Sequence, residues 1–391
     1  MRQRVVINWA LSSFFGWGVY GLNLALQWAN DPDIEPLTSI PLIQDDIVMD
    51  PLQRHALGPF LALSTALQAS LPPLGSARYT LECPVLSDID LGPAVFNHPI
   101  SGHPTVGLTF FESTRLSPHA IARVRSLPLI VTGSDWNQRI LQAHGLDNVV
   151  TILQGIDPAL FHPAPAAGWL SDRFCVFSGG KLEYRKAQDI VLAAFRVFAA
   201  RHRDAVLVTA WHCPWQGLAR TLDASAIAEP VPVDAQGRID VVGWAAANGI
   251  DPTQILDLGA VPNREMPAVL REMDVAVFPN RCEPGTNLVA MECMACGLPV
   301  ILSRNTGHLD LIGGDNCFPL EHQATLHGNH AGIGDVAGWG ESSVDEVLHR
   351  LEQVYADRQT AKRRGQRAAE TMANMTWKRT AERLKAVILA L

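Results

Sequence analysis

Short apolar runs alternate with helix-patterned stretches along almost the whole chain, and this alternation limits the fold more than any other feature. Runs at 4–9, 94–97, 106–111, 129–132 and 149–153 read as strands of the first half. Those at 174–178, 206–211, 255–258, 274–278 and 299–302 read as strands of the second. Helical stretches lie between them, notably 18–29, 54–70, 117–125, 136–143, 187–201, 264–272 and 287–296. Apolar strands joined by crossover helices make parallel α/β sheets. With 391 residues there is room for two of them. The Pro/Ala/Gly segment from Phe161 to Gly168 is the natural divide, since prolines stiffen a linker and keep it out of either sheet. The expected organisation is a Rossmann-like domain at 1–165 and a second at 166–375, their parallel sheets facing a central cleft. The tail is helical after Gly340, with Trp377 interrupting it, and its last helix, about 376–391, packs back on the first domain. Open sheets of this kind bind ligands at the carboxyl ends of their strands.

Composition removes several classes. A chain that is 48% hydrophobic and 18% charged is neither disordered nor a small disulfide scaffold. Lys and Arg total 31 against 39 Asp and Glu, a net charge of −8, so nucleic acid is not an expected partner. The uncharged run Val5 to Asn30 has membrane-spanning length, but Asn8, Ser12, Ser13, Asn23, Gln27 and three glycines interrupt it. It reads as a first strand, a glycine loop and a helix. Seven scattered cysteines, with only Cys293 and Cys296 in a C-x-x-C, suggest buried reduced thiols in a cytoplasmic protein.

Three constellations could carry chemistry. Gly16-Trp17-Gly18-Val19-Tyr20-Gly21 has the G-x-G-x-x-G spacing that lets a backbone approach phosphate. A tight strand-to-helix turn would explain the same glycines, and the acidic residue that NAD binding requires further on falls in the proline-rich Asp31–Pro36 stretch. Gly179-Gly180-Lys181-Leu182-Glu183-Tyr184-Arg185-Lys186 follows a strand and offers two lysines for a diphosphate, or a solvated mixed-charge loop. The third begins at the strand end Pro279-Asn280-Arg281-Cys282-Glu283-Pro284-Gly285-Thr286-Asn287-Leu288 and continues as a helix through Glu292 to Gly297. Its helix N-terminus would attract an anion, and Glu283 and Glu292 would face polar ligand groups.

Together these motifs resemble the retaining GT-B glycosyltransferases of family 4. The pair Glu283 and Glu292, followed by Cys293-Met294-Ala295-Cys296-Gly297-Leu298-Pro299-Val300, is similar to the family's two-glutamate motif and its Ala-Met-Ala-x-Gly-x-Pro-Val continuation. Ile152 to Pro163 resembles its Asn-Gly-Val-Asp…Phe-x-Pro segment, Thr132 to Trp136 its Ser-rich strand end, and Asn305 to Asp310 its Gly-Gly-x-x-Glu loop. The likeness runs from about residue 5 to 380. It departs in three places: the glutamates are nine apart where the family has eight, Ala187 stands for a glycine, and Phe110-Phe111-Glu112 stands where a histidine is common.

The resemblance implies a GT-B fold and transfer of a sugar from a nucleotide-diphosphate donor to a hydroxyl acceptor with retention, in cell-surface polysaccharide or glycoconjugate synthesis. Gly16 and Gly18 would lie under the donor phosphates, and Lys181 and Lys186 would neutralise them. Glu283 would hold the transferred sugar, Glu292 the ribose, and the amides of Gly285, Thr286, Asn287 and Leu288 the sugar ring or phosphates. Glu112 would do substrate or proton work; His98 and His103 are weaker candidates. No cofactor or metal is expected, although Asp88-Ile89-Asp90 has the D-x-D form. The acceptor would be a sugar, a lipid-linked group or another hydroxyl compound. Lys362-Arg363-Arg364 and Arg367 form either a peripheral contact with the inner face of the membrane or a solvated helix face. A NAD-dependent oxidoreductase using Gly16–Gly21 and a non-catalytic nucleotide-sugar-binding protein are the alternatives.

Overall fold

The computed structural model describes residues 2–72, 79–89, 91, 100–213, 215–330 and 332–391. Two six-stranded parallel sheets form its frame. The first contains β1 (Gln3–Asn8), β2 (Ile34–Thr38), β3 (Val85–Asp88), β4 (Thr105–Thr109), β5 (Leu129–Thr132) and β6 (Val149–Thr151), in the order β2-β1-β3-β4-β5-β6. Val5, Val6 and Ile7 of β1 are fully buried, as a strand covered on both faces requires. The second contains β7 (Phe174–Gly179), β8 (Ala205–Ala210), β9 (Ile255–Asp257), β10 (Val275–Phe278), β11 (Val300–Ser303) and β12 (Phe318–Leu320), in the order β9-β8-β7-β10-β11-β12.

Four strands of the first sheet and five of the second run close to the sequence expectation; the expected strand at 94–97 lies outside the described residues, and β3 was not expected. Proline hid two edge strands. Pro36 in β2 and Pro319 in β12 each lack an N–H, which only an edge strand tolerates without losing a ladder bond. The expected helix 54–70 is two, Pro51–Ala56 and Gly58–Ser70. The uncharged run is β1, a loop and helix α1 (Gly16–Trp28). Among the described residues no helix is long and apolar enough to cross a membrane.

Trp377 does not interrupt a helix. It opens α3 (Trp377–Leu389), whose N-cap Thr376 accepts from Arg379 N. Trp377, Leu384 and Ile388 of α3 enter the core beneath β1 and α1. The C-terminal helix therefore packs on the first sheet, and Gly155 lets the segment after β6 meet the start of α3, since a Cβ there would strike the Thr376–Trp377 backbone.

Direct bonds tie the two halves around the cleft. Ser134 Oγ donates to Pro284 O (2.6 Å), and Asp310 accepts from Asp135 N (2.9 Å). Trp339 Nε1 donates to Glu112 O (2.8 Å), and Asn263 N donates to Ser13 O (2.9 Å).

Candidate functional site

The cleft lies where the carboxyl ends of both sheets meet. The loops after β1, β4, β7, β8, β9 and β10 all contribute to it. Its C-terminal wall is set by the chain leaving β10. Asn280, Arg281, Cys282 and Glu283 are all buried, so their polar groups need partners inside the protein.

Arg281 finds them in a two-pronged pair with Asp189 (2.9 and 2.6 Å), with Glu341 (2.7 Å), and over the Tyr184 ring at 3.9 Å. This fork fixes the β10 loop against the loop after β7. Glu283, two residues on, accepts from Lys186 Nζ (2.8 and 2.7 Å), Arg185 Nη1 (2.8 Å) and Asn280 Nδ2 (3.0 Å). Burial pushes its carboxyl up, but Lys186 and Arg185 overcome that and hold it well below the usual carboxylate range.

The family resemblance implies separate roles for Glu283, at sugar hydroxyls, and Lys186, at phosphate. The structure brings them together as one buried ion pair. Arg185, which the sequence analysis did not single out, is the hub: it also donates to Glu183 (2.6 Å) and Cys282 O (2.9 Å), and its Nε stands 3.5 Å from Glu112. Only its alternation with Glu183 in a strand-end loop hinted at this. Lys181 sits at the rim, 3.7 Å from Glu183, its Nζ 5.1 Å from the centre of the Trp215 ring. Three cations thus face three carboxylates, and the cluster is neutral as it stands.

Helix α2 (Leu288–Ala295) starts beside this cluster. Its N-cap Asn287 has a left-handed backbone (φ 64°), its side chain accepts from Ala290 N, and its amide meets His308 at 3.1 Å. Burial pulls His308 down to about 4, so the ring is neutral. Gly285, Asn287 and Leu288 line the cleft; the Thr286 side chain is buried, its hydroxyl 2.9 Å from Met291 Sδ. Gly307 gives the β10 loop its seat, because a Cβ there would strike Gly285 O.

Glu292, about a turn and a half into α2, lines the cleft with Asn263 donating to it, a second partner the sequence did not reveal. With no cation beside it among the described residues, burial pushes its carboxyl up to about 8. The two glutamates are therefore opposite in state: Glu283 is ionised and Glu292 is protonated at neutral pH. Ala187, in the place of the family's glycine, is left-handed (φ 60°), a conformation that costs a non-glycine residue about 1 kcal/mol. Its methyl is fully buried, which offsets part of that cost.

The N-terminal wall is different. Gly16 lines the cleft, but Gly18 does not: its missing Cβ admits the Ser12 backbone, and Gly21 in turn accommodates Trp9. Two glycines of the G-x-G-x-x-G spacing therefore serve packing. β2 ends at Thr38 and is followed by Ser39, so no acid stands at the strand end where a dinucleotide's ribose would be held. Glu112 lines the cleft, its side chain 42% exposed.

Other candidates fall elsewhere. His103 is exposed and away from the cleft lining; His98 and Asp90 lie outside the described residues. All seven cysteines are free thiols, and Cys293 and Cys296 are buried in an apolar cluster. Of the basic tail cluster, Arg364 and Arg367 pair with Asp315 (2.8 Å each), which anchors their helix to the domain.

Residues 262–384 match the family model described as Family 4 Glycosyltransferase in conflict systems. No curated protein matches the chain. Sucrose-phosphate synthase from Thermosynechococcus elongatus has a similar structure, with a TM-score of 0.67 at 15% identity, covering 99% of this chain and 98% of its own. HepE from Anabaena, solved with UDP and glucose, has a TM-score of 0.63 at 12% identity, covering 100% of both chains. The α,α-trehalose 6-phosphate synthase from Burkholderia multivorans gives 0.61 at 12%, covering 100% and 99%. At such identities the likeness is one of fold, and the fold is GT-B.

Proposed function

We propose that this chain is a glycosyltransferase that moves a sugar from a nucleotide-diphosphate donor to a hydroxyl acceptor, with retention at the anomeric carbon, in cytoplasmic synthesis of a surface polysaccharide or glycoconjugate. The observation that carries the reading is the Lys181–Arg185–Lys186 group clustered with Glu283 beside the start of α2. A diphosphate entering this neutral cluster brings negative charge next to three cations and a positive helix end, in a site largely closed to water. Glu283 keeps the arginine and lysine in place until the ligand arrives and takes sugar hydroxyls once Lys186 turns to phosphate. Glu292 meets the ribose.

In the transfer the bond from the anomeric carbon to the leaving phosphate oxygen breaks, and a bond from that carbon to the acceptor oxygen forms on the same face. The acceptor's proton passes to the leaving phosphate. No protein nucleophile is needed, and lysines with a helix dipole take the part that a metal plays elsewhere. The UDP and glucose held by HepE support a UDP-sugar as the first donor to test.

The test is calorimetric titration with UDP-glucose and with NAD, followed by a transfer assay. Binding of the nucleotide sugar, weakened about tenfold by Lys181→Ala, supports the reading. Binding of NAD without any nucleotide sugar contradicts it, and donor binding without hydrolysis or transfer to any acceptor marks a sensor.

A further inference from the structure

The two walls of the cleft divide their chemistry by domain. Every lysine and arginine lining it, Lys181, Arg185 and Lys186, comes from the C-terminal half. From the N-terminal half come Phe14, Phe15, Trp17 and Phe110, and among the described residues the single ionisable group is Glu112.

These rings are held in place. Trp17 meets Phe110 edge-on at 4.8 Å and Trp9 at 5.2 Å, and its carbonyl accepts from Trp9 Nε1 at 2.9 Å. Phe110 packs in turn on Tyr20 at 6.2 Å. Phe15 reaches across the mouth to Trp215, ring centres 5.8 Å apart. The result is a fixed aromatic platform whose one carboxylate, Glu112, stands 3.5 Å from Arg185 Nε at the edge of the donor-side cluster.

We propose that the acceptor is an uncharged hydroxylated ring, a sugar or glycoside without phosphate or carboxylate, whose apolar face lies on Trp17 and Phe110. This rests on the glycosyltransferase reading above. Aromatic faces favour the C–H face of a ring and offer nothing to an anion. The cations across the cleft are already paired with Glu183 and Glu283, and a donor diphosphate would draw on whatever charge remains. Among the described lining residues of the N-terminal half a phosphorylated acceptor would meet no cation, only the like charge of Glu112, which Arg185 already pairs at 3.5 Å. A neutral hydroxyl has an acceptor for its hydrogen bond there.

Titrating the full chain with 4-nitrophenyl glucoside, methyl glucoside and glucose 6-phosphate, each with and without saturating UDP, tests this. The aryl glycoside should bind at least tenfold more tightly than glucose 6-phosphate. Trp17→Leu should weaken it about fivefold and leave the UDP dissociation constant within twofold. Phe15→Ala, at the more open mouth, provides a second variant if Trp17→Leu fails to fold. Glucose 6-phosphate binding as tightly as the glycosides, no binding of any neutral ring, or glycoside affinity unchanged in a folded variant would each overturn the proposal. Loss of UDP binding alone counts against the donor reading, since the acceptor ranking is read separately without nucleotide.

Discussion

The C-terminal wall of the cleft is a network of ions, and the N-terminal wall is a set of rings. In the first, Glu283, Arg185 and Arg281 are buried and Lys186 nearly so; Arg185 and Lys186 pair with Glu283, and Arg281 with Asp189, so their positions are set before any ligand enters. In the second, Phe14, Phe15, Trp17 and Phe110 supply shape with almost no charge. Such a division suits a reaction in which one partner carries a diphosphate and the other does not. Prepositioned charges stabilise a leaving group without reorganising, whereas a ring platform selects by fit.

Breaking the ionic wall should cost most. Arg281→Ala leaves Asp189 buried without its partner, and the expected loss is about 3–5 kcal/mol in denaturant unfolding. Arg281→Lys should recover little, because an ammonium cannot make the fork.

Glu292 is the neutral spot in that wall and separates the two kinds of burial. Its folded carboxyl titrates near 8, so the folded state keeps a proton that the unfolded chain releases near 4.3. Stability from this group is complete below about 4.3, falls as pH rises and is lost above 8. Glu292→Gln should therefore match wild type at pH 4 and be more stable by roughly 5 kcal/mol at pH 9, read as a gap in unfolding free energy that opens with pH.

Lys186→Met removes the cation nearest Glu283 and should lower transfer about a hundredfold, some 2.7 kcal/mol in the barrier. The smallest expected effect lies at the seam. Ser134→Ala deletes the bond to Pro284 O that joins the walls and should cost about 1 kcal/mol, with donor affinity little changed.

Much of this was legible in the sequence. Parallel α/β strands announce themselves because both faces are buried and the runs are uniformly apolar, as in β1, β7 and β10. β2 and β12 were silent because edge strands tolerate the prolines that argue against a strand. β3 was hidden for another reason: it is short, and its Ser87 pairs with Asn8 of β1, so polarity within the sheet is satisfied side by side. In the site, Glu283, Lys181 and Lys186 were legible from their places at strand ends, and Glu292 from the helix that follows. Their pairing was not, since Arg185 and Lys186 reach Glu283 from almost a hundred residues away. Gly18 shows the reverse case, a motif residue whose spacing fits a phosphate loop and whose contact is the backbone of Ser12.

The central claim is that the Lys181–Arg185–Lys186 cluster holds a diphosphate. It is tested most directly by titrating UDP, GDP and ADP against their nucleosides into the wild-type chain and Lys186→Met. The account predicts that one diphosphate binds at least a hundredfold more tightly than its nucleoside, and that most of this advantage disappears in Lys186→Met. Equal binding of nucleoside and diphosphate, or an advantage that survives the substitution intact, would contradict it.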